Sequence, residues 1–261
     1  MGKDSKLILV VVTLTILVGM TTYTSAADWS NTEIQLQLGK LDRPTFAGGG
    51  DEGTAVVTLQ HASSWKYGDN FLFIDFLKSE ERDGFNDTDV YGEWFPNFSI
   101  GKITGHKIGI GLVHDIGVVT GINFGADANV LKFVPGVRIS WDIPGFSFMN
   151  TDFMAYLDYN EGVRSGGAPR EGNGFNADMS WAYPFTYRGY RFSIEGHIEY
   201  LSARDTELGG QSSWSVLGQP QFRWNVNEHV AIGIEWQFWL NKLGDRATDE
   251  DAVQVLFVWK F

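Results

Sequence analysis

Apolar and polar residues alternate in short segments along most of the chain, most clearly in its last ten residues. There, one face carries only apolar or aromatic side chains: Val253, Val255, Phe257, Trp259 and Phe261. The opposite face includes Gln254 and Lys260. Successive side chains of a β-strand point to opposite faces, so this pattern predicts a strand with one apolar face. About ten residues are enough for a tilted strand to cross a bilayer.

The same alternation predicts twelve strands, at about 32–40, 54–62, 69–78, 88–101, 107–120, 129–143, 151–160, 174–185, 189–201, 213–226, 229–240 and 252–261. We therefore expect an all-β fold, a twelve-stranded antiparallel transmembrane β-barrel of the outer membrane. Closure leaves no unpaired strand edge in lipid. Pro220 lies inside the tenth segment, where we expect a bulge or a weakened pairing because proline has no N–H to donate.

The lengths of the connections support the even number of strands. Long acidic or glycine-rich links follow odd-numbered segments, at 41–53, 78–87, 160–173, 202–212 and 241–251, whereas 121–128 is a shorter odd link. Compact links follow even-numbered segments, as at 101–106, 184–189 and 227–229. In a barrel with both termini in the periplasm, odd strands lead to the long outer loops and even strands to the short periplasmic turns.

Large aromatic residues recur near the ends of the predicted outward faces: Trp94, Trp141, Trp181, Tyr200, Trp214, Trp224, Trp236 and Trp259. Aromatic girdles at the two membrane interfaces have this distribution, which a soluble β-sandwich rarely repeats on so many strands. A mean hydropathy of -0.14 argues against membrane-spanning helices and agrees with alternating strands. The net charge of -12 argues against nucleic acid as a partner, and the absence of cysteine excludes disulfides.

The N-terminus has the three parts of a secretory signal peptide. Lys3 and Lys6 precede an apolar run that ends at Met20, and small residues follow. The apolar run is shorter than the roughly 20 residues that a membrane-spanning helix needs. We expect residues 1–26 to be a cleaved signal peptide, with cleavage after Ala26 or Ala27, and residues 27–261 to form a single barrel domain.

No motif in the chain predicts an enzyme or a metal centre. Gly162-Val-Arg-Ser-Gly166 has the wrong spacing for a nucleophile elbow, and His114, on the apolar face of its segment, has no matching serine pattern. Glu195, His197 and Glu199 share one strand face, but residues two apart on a strand are about 6.5–7 Å apart, too far to share one metal ion easily. We interpret these three as a polar ladder inside the barrel.

The predicted inward faces combine charged and aromatic side chains, which suit a narrow pore for a small polar solute that contains an aromatic ring. Asp178, Arg191, Glu195, Arg223 and Trp239 come from adjoining strands, and we expect Arg191 and Glu195 to be members of a lumen charge pair. The candidate pore-lining residues are Tyr91, Glu93, Phe95, Arg138, Tyr156, Asp178, Arg191, Glu195, Arg223 and Trp239.

Two segments carry a family resemblance, residues 61–76 (HASSWKYGDNFLFIDF) and residues 93–105 (EWFPNFSIGKITG). Both resemble the nucleoside-specific channel-forming outer-membrane proteins, the Tsx-like family that includes the OmpK porins. The second segment is similar to that family's E-x-x-P-x-F-S-I-x-K-x-T pattern. Weaker similarity extends over most of the mature chain, although Leu256 stands where the family's assembly signal favours glycine. The resemblance implies a twelve-stranded barrel with a narrow lumen that passes nucleosides.

We therefore expect a passive channel for nucleosides or similar small polar solutes in the outer membrane of a Gram-negative bacterium. The expected partners are the bilayer, the solute, the barrel-assembly machinery through the C-terminal strand, and bacteriophage at the outer loops. No cofactor is expected. Three alternatives remain: a general porin, a surface receptor or adhesin, and an outer-membrane enzyme that acts on lipid.

Overall fold

The computed structural model of the protein describes residues 27–80 and 87–261. The predicted signal peptide, residues 1–26, lies outside the described residues, as does most of the charged link after the third strand. Within the described ranges, no helix is long and apolar enough to cross a membrane.

Twelve antiparallel strands form one closed sheet, which confirms the predicted β-barrel. One of the twelve is interrupted, and its halves are labelled β12 and β13; β10 and β11 form a separate small hairpin. The strands are β1 (Ala27–Asp42), β2 (Asp51–Trp65), β3 (Gly68–Ser79), β4 (Asp89–Ser99), β5 (Val113–Gly125), β6 (Val130–Trp141), β7 (Phe148–Asp158), β8 (Gly174–Tyr187), β9 (Tyr190–Leu201), β10 (Arg204–Asp205), β11 (Gln211–Ser212), β12 (Ser215–Gly218), β13 (Gln221–Asn225), β14 (Val230–Leu240) and β15 (Glu250–Lys260).

The barrel closes where the last strand pairs with the first. β15 lies between β14 and β1, with Ile34 opposite Trp259, and the backbone N–H of Phe261 donates to the carbonyl of Thr32. Every described strand of the barrel therefore has a neighbour on both sides, and none of these strands presents an unpaired row of backbone N–H and C=O groups to lipid.

The two faces of the barrel wall are inverted relative to a soluble protein. On β15, Val255 is 65% exposed whereas the adjacent Gln254 is 1% exposed. Trp236 and Trp259 also lie on the outward face, at 45% and 44% exposure. Apolar side chains meet lipid, and the interior is lined mainly by polar side chains together with a buried apolar cluster that includes Val119 and Val134.

The tenth strand is interrupted at Gln219 and Pro220, as the sequence predicts. The register with β9 and β14 is the same on both sides of the break. The N–H of Gln219 still donates to the carbonyl of His197, and the carbonyl of Pro220 accepts from Trp236. The proline thus weakens the pairing without shifting the strand.

The start of the fifth strand was predicted too early, at about residue 107. Helix α1 (Ile100–Thr104) and the following residues form an enlarged periplasmic turn, and Gly111 adopts a positive φ of 63°. Strand β5 begins at Val113 and extends to Gly125, so the link that was predicted at 121–128 is a tight hairpin. His114 is exposed at an irregularity of the β5–β6 register.

The outer links carry most of the remaining local structure. Short 3₁₀ segments occupy Thr45–Ala47, Val163–Ser165 and Lys242–Gly244, and the β10–β11 hairpin lies in the link after β9. These elements place side chains from the loops over the outer opening of the barrel.

Candidate functional site

The ten candidate residues occupy inward-facing positions of the wall, but at different heights. Tyr156 and Trp239 lie towards the outer opening, and Arg191 lies near the periplasmic end of β9. The others lie between these limits. The structure brings together Tyr91 with Glu93, Phe95 with Tyr156 and Glu195 with Arg223, whereas Arg191 and Trp239 lie apart from these groups.

An ion-pair cluster joins two outer loops to the wall beneath the outer opening. Lys132 contacts Asp158 at 2.7 Å and Glu171 at 2.9 Å, and Arg204 contacts Glu171 at 3.1 Å. Burial acts to raise the pKa of Glu171, but the hydrogen bonds and charges of Arg204 and Lys132 hold it below its usual value. Glu171 is therefore an ionised tie between the two loops.

Tyr156 lies against this cluster. The ammonium of Lys132 is 5.4 Å from the centre of its ring, and the guanidinium of Arg204 is 5.2 Å from it. Both distances allow a cation–π contact, and Tyr156 is only 8% exposed. The ring therefore supports the two cations of the cluster.

Trp239 lies on the other side of the outer opening. Lys242 places its ammonium 5.5 Å from the Trp239 ring and forms a salt bridge of 2.5 Å with Glu250. The indole Nε1 of Trp239 is buried without a hydrogen-bond partner. A buried donor of this kind gains energy when an acceptor reaches it.

The middle of the lumen is organised around His197 on β9. Its ring nitrogens contact Asp178 at 2.8 Å and Gln219 at 2.9 Å. Glu199 accepts from Asn176 instead, and Glu195 contacts Arg223. The three residues of the predicted ladder thus take different partners, and no group of three or more potential ligands in the described residues could hold a metal ion.

Aromatic side chains form a strip on the wall opposite His197. The rings of Phe71 and Phe73 are 6.1 Å apart, and Phe73 is 6.1 Å from Tyr91. Phe71 also packs against the buried cluster that contains Phe95. Tyr91 donates a hydrogen bond of 2.5 Å to Glu93, so the strip has a carboxylate beside it.

Phe71 and Phe73 are not among the ten candidates. Residues 70–77 are apolar on nearly every position, so alternation alone cannot assign the faces of β3. A useful signal is present nonetheless: in a barrel with a polar lumen, a strand that is apolar on both faces places some aromatic residues inside.

Arg138 forms one of two charged bridges across the periplasmic half of the lumen. It holds Asp152 of the neighbouring strand through two hydrogen bonds of 2.8 and 2.6 Å. It also reaches Asp69 on β3 at 2.7 Å, across the inner faces of β4 and β5. Gly117 lies opposite Arg138 on β5 and leaves room for the amide of Asn97, since a Cβ at Gly117 would clash with the Asn97 Oδ1.

Arg223 forms the second bridge. It contacts Glu33 on β1 at 3.0 Å, across the inner faces of β14 and β15, and Glu195 at 3.4 Å. The prediction of a charge pair was therefore wrong in one respect: Glu195 pairs with Arg223, while Arg191 is exposed near Asn225 and Lys260 at the periplasmic opening. Arg191 and Glu195 are four residues apart on one extended strand, so their Cα atoms are about 13 Å apart, whereas Arg223 lies on the neighbouring strand opposite Ser193.

Comparisons with known proteins give a matching family and similar solved structures. Residues 26–259 match the family described as nucleoside-specific channel-forming protein, Tsx. The NanC porin structure is similar with a TM-score of 0.53 and 13% identity, covering 87% of this chain and 100% of that chain. For the KdgM porin the TM-score is 0.46 and the identity 9%, covering 88% of this chain and 99% of that one. No curated protein matches significantly.

The likeness to NanC concerns the fold, whereas the family match extends over almost the whole barrel. It includes both segments in which the sequence shows the resemblance, residues 61–76 and 93–105. The chain belongs to the nucleoside-specific channel-forming protein family, and it is a channel for small solutes in the outer membrane of a Gram-negative bacterium.

Proposed function

We propose that the channel passes nucleosides by passive diffusion and selects them through the aromatic strip of the lumen. The observation that carries this proposal is the position of Phe71, Phe73 and Tyr91 opposite the polar wall that contains Asp178 and His197. A nucleoside has an uncharged aromatic base and a hydroxylated sugar. Aromatic faces stack on the base, and carboxylates accept hydrogen bonds from the sugar hydroxyls.

The candidate residues then have different roles along the path. Tyr91, Glu93, Phe95 and Asp178 contact the solute in the middle of the lumen. Arg138, Arg191, Glu195 and Arg223 set the charge and width of the periplasmic half. Tyr156 and Trp239 contribute to the outer opening, where the buried Nε1 of Trp239 is a donor for the sugar or the base. Neither catalysis nor a cofactor is part of this function.

Replacement of one ring tests the proposal. Phe73→Leu keeps an apolar side chain of similar length but removes the flat face, and stacking on an aromatic side chain contributes about 1–3 kcal/mol per base. In liposomes, we expect the variant to lower the uptake rate of thymidine relative to a sugar of equal mass by about threefold or more. Phe76→Leu, on the lipid-facing side of the same strand, is the matched control and should leave the ratio unchanged.

The alternatives give different results in the same system. A general porin passes thymidine and the sugar at equal rates, and that result would overturn the nucleoside selectivity. A receptor loses partner binding when an outer loop is shortened but keeps solute flux. An enzyme of the outer membrane hydrolyses added phospholipid, which we do not expect of the folded protein.

Two further partners and one processing step belong to this proposal. The apolar face of β15 makes this strand the contact for the barrel-assembly machinery. The outer loops expose Phe46 at 68% and Leu208 at 67%, which offers bacteriophage an apolar attachment point. Residues 1–26 act as a signal peptide for export.

A further inference from the structure

Five carboxylates surround His197 in the middle of the lumen and come from five different strands. Asp178 is hydrogen-bonded to the imidazole. The other four are close enough to His197 for a direct electrostatic interaction. The carboxylate ring, as we call this set, consists of Asp75 on β3, Glu93 on β4, Asp178 on β8, Glu199 on β9 and Glu235 on β14.

The carboxylate ring has few cationic partners. In the described part of the chain, His197 is the only basic side chain within salt-bridge distance of any of the five. The guanidinium groups of Arg138 and Arg223 are engaged with Asp152 and Glu33. The carboxyl groups of the ring therefore outnumber the cationic side chains within salt-bridge distance of them.

Three buried amides supply a second, independent observation. Asn123, Asn176 and Gln254 are 2%, 0% and 1% exposed. Their NH₂ groups donate to Glu93 at 2.7 Å, to Glu199 at 2.9 Å and to Glu235 at 2.9 Å. The carbonyl oxygen of each amide is buried with no hydrogen-bond partner.

Hydrogen-bond acceptors thus outnumber hydrogen-bond donors at this height of the lumen, because both the carboxylates and the amide carbonyls accept hydrogen bonds. A buried acceptor without a partner is costly, and a solute that brings several N–H groups together with positive charge removes that cost. An ammonium or a guanidinium group has this composition. An anion finds neither donors nor favourable charge there.

We propose that the carboxylate ring makes the channel cation-selective and that it binds small solutes bearing an ammonium or guanidinium group. This inference deepens the proposed function and rests on it, since it assigns a second solute class to the same lumen. It adds a charge preference to the stacking of neutral nucleosides on the aromatic strip.

Single-channel recording of the full folded barrel in a planar bilayer tests the ring without any nucleoside. In a potassium chloride gradient we expect the permeability to potassium to exceed that to chloride by about fivefold or more. Replacing both Glu93 and Glu199 with Gln keeps the side-chain size and exchanges two carboxyl groups for neutral amides. It should lower the permeability ratio by about threefold or more.

The control is Asp51→Asn, which removes a carboxylate from an exposed surface pair with Lys40 and should leave the ratio unchanged. Guanidinium and tetramethylammonium chloride then separate hydrogen bonding from charge, because only guanidinium carries N–H donors. We expect the double variant to lower the guanidinium-to-tetramethylammonium permeability ratio as well.

A wild-type ratio near one, or one that favours chloride, would overturn the proposal whether or not the variants fold. So would an unchanged ratio in the folded double variant. If the double variant does not fold, Glu235→Gln tests the same ring from another strand. If the wild-type channel showed cation selectivity in the bilayer but no preference for nucleosides in the liposome assay, only the stacking proposal would be refuted. Failure of the proposed function is therefore distinguishable from failure of this inference.

Discussion

Replacement of Arg223 with Met should both weaken the barrel and widen its lumen. Arg223 and Glu33 are 3% and 1% exposed at their side chains, and their atoms are 3.0 Å apart. The variant leaves the Glu33 carboxylate buried with only the amides of Gln35 and Gln60 as donors, at 2.7 and 3.1 Å. Neighbouring strands are about 4.8 Å apart, so the bridge over β14 and β15 covers about 14 Å of the inner wall.

The loss of stability can be worked from these contacts. Removing one partner of a buried ion pair costs about 3–5 kcal/mol in the free energy of unfolding. The remaining amide donors place this case at the lower end, about 3 kcal/mol. The lost contact with Glu195, whose side chain is 24% exposed, adds less than about 1 kcal/mol.

Urea unfolding of the reconstituted barrel, followed by tryptophan fluorescence, measures the change. Adding Glu33→Gln to Arg223→Met removes the stranded charge and should recover about 2 kcal/mol of the loss. Lys40→Met breaks the exposed pair with Asp51 and should change stability by less than about 0.5 kcal/mol. Single-channel conductance of Arg223→Met should rise because the bridge no longer crosses the lumen.

An Arg223→Met variant that unfolds within about 1 kcal/mol of wild type and has an unchanged conductance would contradict both expected effects. That result means that the guanidinium is solvated in the lumen and that the bridge does not persist. If the variant lost stability but its conductance did not rise, the ion pair would stabilise the barrel without narrowing the pore.

Two other predictions concern the outer half of the barrel. Trp239→Ala should alter the selectivity between nucleoside and sugar in the liposome assay. Trp236→Ala, on the lipid-facing side of the same strand, should lower stability without changing selectivity. If only Trp236→Ala changed selectivity, the inward and outward faces of β14 would be the reverse of those assigned. Although desolvation acts to raise it, hydrogen bonds from Thr45 and Thr248 lower the pKa of Asp245 to about 2. A depressed pKa in the folded state stabilises the loop contact above about pH 4, and this contribution is lost as the pH falls towards 2. Hydrogen exchange at the backbone amide of Thr45, corrected for its intrinsic pH dependence, should therefore accelerate below pH 4 in the wild type but not in Asp245→Asn. If the two proteins behaved alike, Asp245 would not be the group whose protonation releases the loop contact.

Alternation along the chain was sufficient to predict the number of strands and the barrel. It succeeds because side chains alternate between the two faces of a strand, so every second residue meets the same surroundings, either lipid or lumen. Gln254 and Val255 illustrate this, since one faces the lumen and the next faces lipid. The predicted sorting of long and short links fails around β5, where the link before the strand is long and the link after it is short. The assignment fails on β3, where the polar residues Asn70 and Asp75 lie on opposite faces and therefore do not mark which face carries Phe71 and Phe73.

Contacts across the lumen could not be predicted from the sequence. Arg223 and Glu33 are 190 residues apart. Their meeting depends on strand tilt, closure and the heights at which inward side chains project. A one-dimensional pattern shows that both point inward but not which acid faces which base. For the same reason the partner of Glu195 was assigned incorrectly, whereas the inward direction of Glu195 was predicted from the pattern.

The pairing of β15 with both β1 and β14 has a consequence for biogenesis. The ribosome makes the strands in order, so β15, which pairs with both β14 and β1, is available only after all the other strands. Until then β1 and β14 both present open edges, which readily recruit other chains into aggregates. Contacts between opposite ends of a polypeptide also form slowly, because a large loop must close first. The sheet therefore cannot close before β15 is present, and until then two open strand edges at opposite ends of the sheet have to be kept from pairing with other chains.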